Sequence, residues 1–333
     1  MASPLIREGR DSDAAGFIAL ISGCWAEYPG CVFDLDGELP ELRHLASWFA
    51  GQGGTLWAAE QDGAVIGMVA TRPMRQDEAW EICRLYVSAA ARGTGLAHRL
   101  LDTAEAHARA NGAQRMVLWT DTRFEAAHAF YEKRGYVRQG AIRILDDLSK
   151  SLEFRYAKPA RGVVVEALDA AAAASAERRL VAILTACVAA GASVSFLPPL
   201  DPATARAYWK GVSQQVAAGR IVLLVGWVEG ELAGTVQLDL ETQPNQPRRV
   251  EVQKLLVDPR FRRRGLATEL MRRAEQAAAR LGRRLLTLDT REGTAAASLY
   301  RTDGWHEAGR IPELELDEAG VERDVVFFWK RVA

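Results

Sequence analysis

The stretch "RGTGLA", Arg92–Ala97, returns 170 residues later as "RRRGLA", Arg262–Ala267. Each copy follows a strand-like segment, "EICRLYV" (Glu81–Val87) or "EVQKLLV" (Glu251–Val257). Each opens a segment with apolar residues at 96, 97, 100, 101 and 104, or at 266, 267, 270, 271 and 274. That spacing draws one apolar stripe along a helix. A glycine loop between a strand and a helix start brings the backbone close to a ligand, and the free N–H groups of the first turn favour an anion. The loop reads as a phosphate cradle, with Arg92 and Arg262, Arg263 and Arg264 adding positive charge. It is not the dinucleotide fingerprint, because GxGxxG fails in both copies, and no Gly-Lys-Ser/Thr makes it a P-loop.

Working outward, the two halves align throughout. Gly67 matches Gly234, Asp121 matches Asp289 and Tyr131 matches Tyr300, at offsets between 167 and 170. A repeat of that length is a whole domain rather than a solenoid module. A chain of 333 residues also exceeds what one core usually carries. The Pro- and Gly-punctuated "AKPARG" (Ala157–Gly162) marks the junction, giving domains 1–158 and 159–333.

Each half predicts the same elements. A strand (Leu5–Glu8; Val163–Ala167) leads to a helix (Ala14–Trp25; Ala176–Ala189) and a second helical stretch (Leu39–Phe49; Thr204–Ala217). A hairpin turns at Asp62-Gly63 or Glu229-Gly230. A third strand, the glycine loop with its helix, and a closing strand, helix and strand follow. That order gives an α/β fold with a mixed α+β character: two tandem domains, each a mixed central sheet flanked by helices.

Composition narrows the function. The chain is 49% hydrophobic and 26% charged with a net charge of −1, ordinary for a globular protein and lacking the basic excess of a general nucleic-acid binder. The four cysteines form no CxxC pair and the five histidines no ligand spacing, so neither a disulfide framework nor a metal site is expected. No apolar signal-peptide core opens the chain, which predicts a cytoplasmic protein. The uncharged run Leu180–Leu200 is broken by Gly191, Pro198 and Pro199, and reads as a helix and a loop rather than a membrane span.

The full constellation resembles the GNAT acetyltransferase superfamily: E-x-x-x-L-x-V, then R-x-x-G-x-A, then D-T about 26 residues on, then Y-x-x-x-G-aromatic. The resemblance covers nearly the whole chain in two tandem copies. The second copy is also similar to tabtoxin-resistance-type small-molecule acetyltransferases, in "GASVSF", "EVQKLLV", "LDTREG" and "GRIPELEL". It implies acetyl-CoA or another acyl-CoA as co-substrate, no metal, and direct attack by the primary amine of a small molecule. Cofactor contacts are implied at Leu85, Tyr86, Val87, Arg92, Gly93, Thr94, Gly95, Leu96 and Ala97. Their counterparts are Leu255, Leu256, Val257, Arg262, Arg263, Arg264, Gly265, Leu266 and Ala267. Glu81 and Glu251 match the family's base, and Tyr131 and Tyr300 match its acid. The family's asparagine before the tyrosine is replaced by Phe124 and Gly293.

Further expectations follow. Period-two alternation places Glu81, Cys83, Leu85 and Val87 on one face. Asp121 and Asp289 read as strand-end residues that shape the next loop, and His128 as a helix-surface histidine. Glu27–Cys31 lies where the family places its acceptor segment. The expected partner is a small-molecule amine, with no nucleic acid and no membrane, in a monomer or homodimer. Two other readings stay open: one active and one structural half, as in mycothiol synthases, or a non-catalytic acyl-CoA-binding module.

Overall fold

The computed structural model describes residues 3–75 and 78–332. The chain divides into two compact units, Met1–Tyr131 with Arg138–Arg161, and Gly162–Ala333 with Glu132–Val137.

The first half begins with β1 (Leu5–Glu8), α1 (Ala14–Trp25), a 3-10 turn and α2 (Leu45–Ala50). β2 (Thr55–Gln61), β3 (Ala64–Pro73) and β4 (Ala79–Val87) follow, then α3 (Leu96–Ala110), β5 (Arg115–Asp121) and α4 (Glu125–Lys133). Short β6 (Val137–Arg138) and β7 (Arg143–Ile144) precede β8 (Leu152–Pro159). The strand order is β1-β2-β3-β4-β5-β8-β6, with β7 beside β8. Only β4 and β5 pair in parallel, joined by the α3 crossover; the other strand pairs given in residue register are antiparallel.

The second half repeats the plan with β9 (Val163–Leu168), α5 (Ala170–Ala189), α6 (Pro202–Ala217), β10 (Ile221–Val228), β11 (Glu231–Asp239) and β12 (Arg249–Val257). α7 (Leu266–Arg280), β13 (Leu285–Arg291), α8 (Ala295–Thr302), β14 (His306–Leu316) and β15 (Glu322–Arg331) complete it. Its sheet runs β14-β15-β13-β12-β11-β10-β9, again with one parallel pair, β12 and β13. Each half therefore closes with strands beyond the expected order, β6 and β7 in the first and β14 in the second. α5 starts six residues earlier than expected, at Ala170, because Asp169 accepts a hydrogen bond from the Ala172 N–H and caps it. The uncharged run does become helix and then loop, and no helix among the described residues is long and apolar enough to cross a membrane.

Helices cover both faces of each sheet. Phe17 and Ile21 of α1 and Phe49 of α2 pack on Leu56, Met68 and Ala70. The glycines of β3 and β11 let the loop helix press on the opposite face. A Cβ on Gly67 would meet Leu100 at 2.9 Å, and one on Gly234 would meet the Leu256 carbonyl at 2.6 Å and Leu266 at 3.0 Å. The match of Gly67 with Gly234 thus records a close helix approach.

Candidate active site

The central feature of each half is a strand that loses its neighbour. β4 pairs with β5 only from Ala79↔Arg115 to Ile82↔Leu118, and β12 with β13 only from Arg249↔Leu285 to Glu251↔Thr287. Beyond those points the strands splay, leaving the β5-side edge of Cys83–Val87 and the β13-side edge of Val252–Val257 without a strand. Backbone donors and acceptors on such an edge need partners.

Both splayed strands carry a bulge at the same place. On β4 the register runs Met68↔Tyr86 and then Ala70↔Cys83; on β12 it runs Thr235↔Leu256 and then Gln237↔Gln253. The extra residues include Arg84 and Lys254, whose φ values of 52° and 51° are left-handed. A bulge re-aims the side chains that follow it. This corrects the expected alternation. Cys83 and Tyr86 share the α1 face, while Val87, opposite Gly67, falls on the other. In the second half Leu255 and Val257 pack with the α7 cluster and Leu256 with the α5 cluster.

The loops do open helices without side-chain caps. Gly95 and Gly265 hold the N-cap positions of α3 and α7 at φ 85° and 79°. No atom would obstruct a Cβ at either, so backbone conformation alone demands glycine there. The first α3 bond runs from the Arg99 N–H to the Gly95 carbonyl, and the first α7 bond from Glu269 to Gly265. The N–H groups of Leu96 and Ala97, and of Leu266 and Ala267, are therefore left for a ligand. Their side chains do not serve it, since Leu96 and Leu266 are core residues. The Thr94 hydroxyl donates to the Ala91 carbonyl and braces the loop. Gly93 and Arg263 both adopt positive φ, 78° and 63°, so Arg263 holds a conformation natural to glycine.

The loop arginines need a correction. Arg92 is not a free charge: its guanidinium donates to both carboxylate oxygens of Glu27 and its Nε donates to the Val87 carbonyl. Arg262 reaches the equivalent Val257 carbonyl through Nε at 3.4 Å, with no acidic partner among the described residues. A cysteine joins each contact, Cys24 on Val87 and Cys187 on Val257. Arg92 and Arg262 thus tie the loop to the strand end. Arg263 and Arg264 remain exposed at the second loop.

In the first half a cleft of about 540 Å³ gathers Glu81, Cys83, Leu85 and Tyr86 of β4, Tyr131 of α4, and aromatic walls that include Trp25, Trp48 and Trp119. Glu81 and Tyr131 therefore share a site; the loop residues Arg92–Ala97 do not line it. The Glu81 carboxylate is held by Arg72 of β3 at 2.7–2.8 Å. Tyr131 is 7% exposed, and burial, then the neighbouring Tyr86 and Cys83, raise its pKa so that it stays protonated at neutral pH. Phe124 packs against Tyr28 with ring centroids 4.4 Å apart and the planes tilted by 48°, so the departure from the family's asparagine anchors the segment holding Cys31, another cleft residue.

In the second half a cleft of about 560 Å³ holds Glu251, Asp289 and Arg249, but not Tyr300 or Leu255–Val257. Tyr300 is buried against Trp305 and Phe328, and burial, then Asp289, raises its pKa. Asp289 is the residue that sequence reasoning undervalued. Asp121 behaves as expected: it accepts from the Arg123 N–H and pairs with that guanidinium, which outweighs burial and lowers its pKa. At Asp289 the matching arginine, Arg291, turns instead to Glu315 and Glu318. Asp289 forms no side-chain hydrogen bond or ion pair among the described residues. Desolvation by surrounding protein, then Glu251 and Glu315, raises its pKa. His128 also differs from expectation. It is packed inward against Phe154 and Tyr156, with Nε2 2.8 Å from the Asp121 carbonyl.

Two splayed parallel strand pairs, each followed by an uncapped glycine loop, define the class. A sequence model of the "Acetyltransferase (GNAT) family" matches residues 18–136 and 195–305. The chain belongs to that family, with two tandem copies of its domain. It is 33% identical to N-acetyltransferase 8 of Mus musculus over 145 residues, covering 37% of this chain and 64% of that protein. It is 35% identical to the N-acetylaspartate synthetase of Rattus norvegicus over 89 residues, covering 27% and 30%. The chain thus spans less than two thirds of either relative. Among solved structures, an N-acetyltransferase from Staphylococcus aureus Mu50 aligns at TM-score 0.44 and 17% identity, over 52% of this chain and 99% of that one.

Proposed function

We propose that the protein is an N-acetyltransferase that moves the acetyl group of acetyl-CoA to the primary amine of a small molecule. The observation that carries this is the splay: a strand edge without a partner ends at a helix start whose N–H groups are uncapped, twice in one chain. The edge suits the amide-bearing arm of an acyl-CoA, and the helix start suits its diphosphate. Acetyl-CoA supplies an acyl group already activated as a thioester.

The residues then have distinct tasks. A glutamate, Glu81 or Glu251, takes the proton of the incoming ammonium, so that the nitrogen lone pair can attack. Backbone N–H groups at Leu85–Val87 or Leu255–Val257 face the carbonyl oxygen, where negative charge develops. The hydroxyl of Tyr131 or Tyr300 gives its proton to the departing sulfur, and the second proton leaving the attacking nitrogen restores that hydroxyl as the neutral amide forms. One N–C bond forms, one C–S bond breaks, and no covalent enzyme intermediate is needed. A cytoplasmic site of action and the resemblance of the second half to tabtoxin-resistance-type enzymes belong to the same reading.

Calorimetric titration with acetyl-CoA, followed by free-thiol release with a panel of amines, tests it. Binding with amine-dependent thiol release supports the transferase. Binding with no release for any amine would make the chain an acyl-CoA-binding module.

A further inference from the structure

The two halves differ at one register position. On β3, Arg72 stands opposite Glu81; on β11, Asp239 stands opposite Glu251. Opposite charges face each other across the first sheet and like charges across the second, and directly opposed like charges repel.

The difference extends to the charged residues around each glutamate. In the first half the three carboxylates nearest this register each have a close arginine: Glu81 with Arg72 at 2.7 Å, Glu41 with Arg84 at 2.8 Å and Asp121 with Arg123 at 2.6 Å; Glu38, Asp146 and Asp147, also in the cleft, pair with no arginine among the described residues. In the second half Asp239 has no ion pair among the described residues; it accepts from the Glu241 N–H and, at 3.5 Å, from Gln253. Glu251 accepts from Gln253 at 2.9 Å, and Arg249 approaches only to 3.6 Å because its NH1 donates to Thr287. Asp289 is unpaired. Lys254, at the bulge, donates to the Ser195 hydroxyl and lies near the rings of Phe196 and Tyr208; burial lowers its pKa. Beside this group, on the same face, Gln237 is 1% exposed with an amide nitrogen that has no protein acceptor. Asp239 and Asp289 thus hold no ion pair among the described residues and Glu251 only a loose one, whereas Glu81 is held closely by Arg72 until something takes its place on that arginine.

We propose that Arg72 and Asp239 assign different acceptors to the two halves. The second half takes a cationic amine with no carboxylate of its own, held and deprotonated among Asp239, Glu251 and Asp289. The first takes an amine that carries a carboxylate, which enters the fork of Arg72 and releases Glu81 to accept the ammonium proton. A planar guanidinium matches a carboxylate through two parallel hydrogen bonds, so one carboxylate can replace another there. In both halves the nitrogen bonds to the acyl carbon, the C–S bond breaks, and the glutamate keeps the proton.

This inference rests on the transferase reading, and one experiment separates the two. Thiol release is measured in the full chain with 1,4-diaminobutane and with single α-amino acids, for the unaltered protein and for E81Q, E251Q, R72A and D239R. Glu251→Gln should lower kcat/KM for the diamine by about a hundredfold, the scale of general-base catalysis, and far more than for an amino acid. Glu81→Gln should reverse that ranking. Arg72→Ala should act on the amino-acid KM more than on kcat. Asp239→Arg should shift the second half away from the diamine, and if that variant does not fold, Asp239→Asn should raise the diamine KM. One glutamate serving both amine classes, or an amino-acid KM indifferent to Arg72, would overturn the inference and leave the transferase reading standing. No thiol release with any amine, despite acetyl-CoA binding, would overturn both.

Discussion

Arg92 and Glu27 form a two-pronged ion pair, 2.5 and 2.7 Å, that ties the first glycine loop to the segment just after α1. Counted from the matching cysteines Cys24 and Cys187, the equivalent position in the second half is Ala190, and Arg262 has no acidic partner among the described residues. Both members of the pair are partly exposed, so it contributes little to stability. Its consequence is electrostatic, because it cancels positive charge beside the first cradle. Glu27→Gln should tighten acetyl-CoA binding to the first half by a few-fold, roughly 3–10 times, with a steeper salt dependence. Calorimetry at two ionic strengths checks this, and unchanged affinity would make the pair purely structural.

A buried pair anchors each loop helix to the last long strand of its half. Lys158 of β8 meets Glu105 of α3 at 2.9 Å, both side chains 2% exposed. Lys330 of β15 meets Glu275 of α7 at 2.6 Å, with both about a fifth exposed. Removing one member of a buried pair leaves the other charge in a poor solvent, although Glu105 keeps Arg109 at 2.9 Å. Lys158→Ala should cost about 3 kcal/mol, the lower end for a broken buried pair, and Lys330→Ala less. Urea unfolding with matched m-values would show the difference; equal costs would contradict the burial argument.

Two glycines of the second half, Gly234 on β11 and Gly265 at the start of α7, should fail for different reasons. Gly234→Ala places a methyl against the Leu256 carbonyl and Leu266, and should cost about 1–3 kcal/mol by overpacking. Gly265→Ala meets no atom, but its φ of 79° should cost about 1–2 kcal/mol. A second-site Leu266→Ala change should restore part of the loss at Gly234 and none at Gly265, as read from thermal melts.

Acid should destabilise the first half through two packed histidines. Burial lowers the pKa of His107, whose ring lies against Trp57 and Trp80, and of His128. The folded state thus prefers neutral rings, while the unfolded chain protonates near the ordinary value of 6.5. Stability from this source is complete above that pH and is lost as pH falls through it towards the lowered folded values. Denaturant midpoints at pH 7.5 and 5.5 should differ less in His107→Gln than in the unaltered protein. An equal drop would place the acid sensitivity elsewhere.

Much was legible because it is local. A glycine that must turn a strand into a helix, the hairpin turns at Asp62-Gly63 and Glu229-Gly230, and the apolar stripes of α3 and α7 depend on neighbours within a few residues. The 170-residue repeat then multiplies each signal. The bulge was not legible, because Arg84 and Lys254 carry no glycine-like mark, and the faces of Leu85 and Val87 were misplaced as a result. The inward packing of His128 was equally hidden, since it depends on β8 rather than on α4.

The sequence by itself determined two tandem domains, the strand–loop–helix order in each, and the strand on which Glu81 or Glu251 stands. Chain order and local conformational preference decide those. Only the tertiary structure decided which charges are spent on each other: Arg72 on Glu81, Arg92 on Glu27, and Arg123 on Asp121, but Arg291 on Glu315 instead of Asp289. Ion pairing acts over a few ångströms of space, and cross-strand register and loop reach bring those groups together or keep them apart. Two halves with matching motifs can for that reason hold their carboxylates in different states.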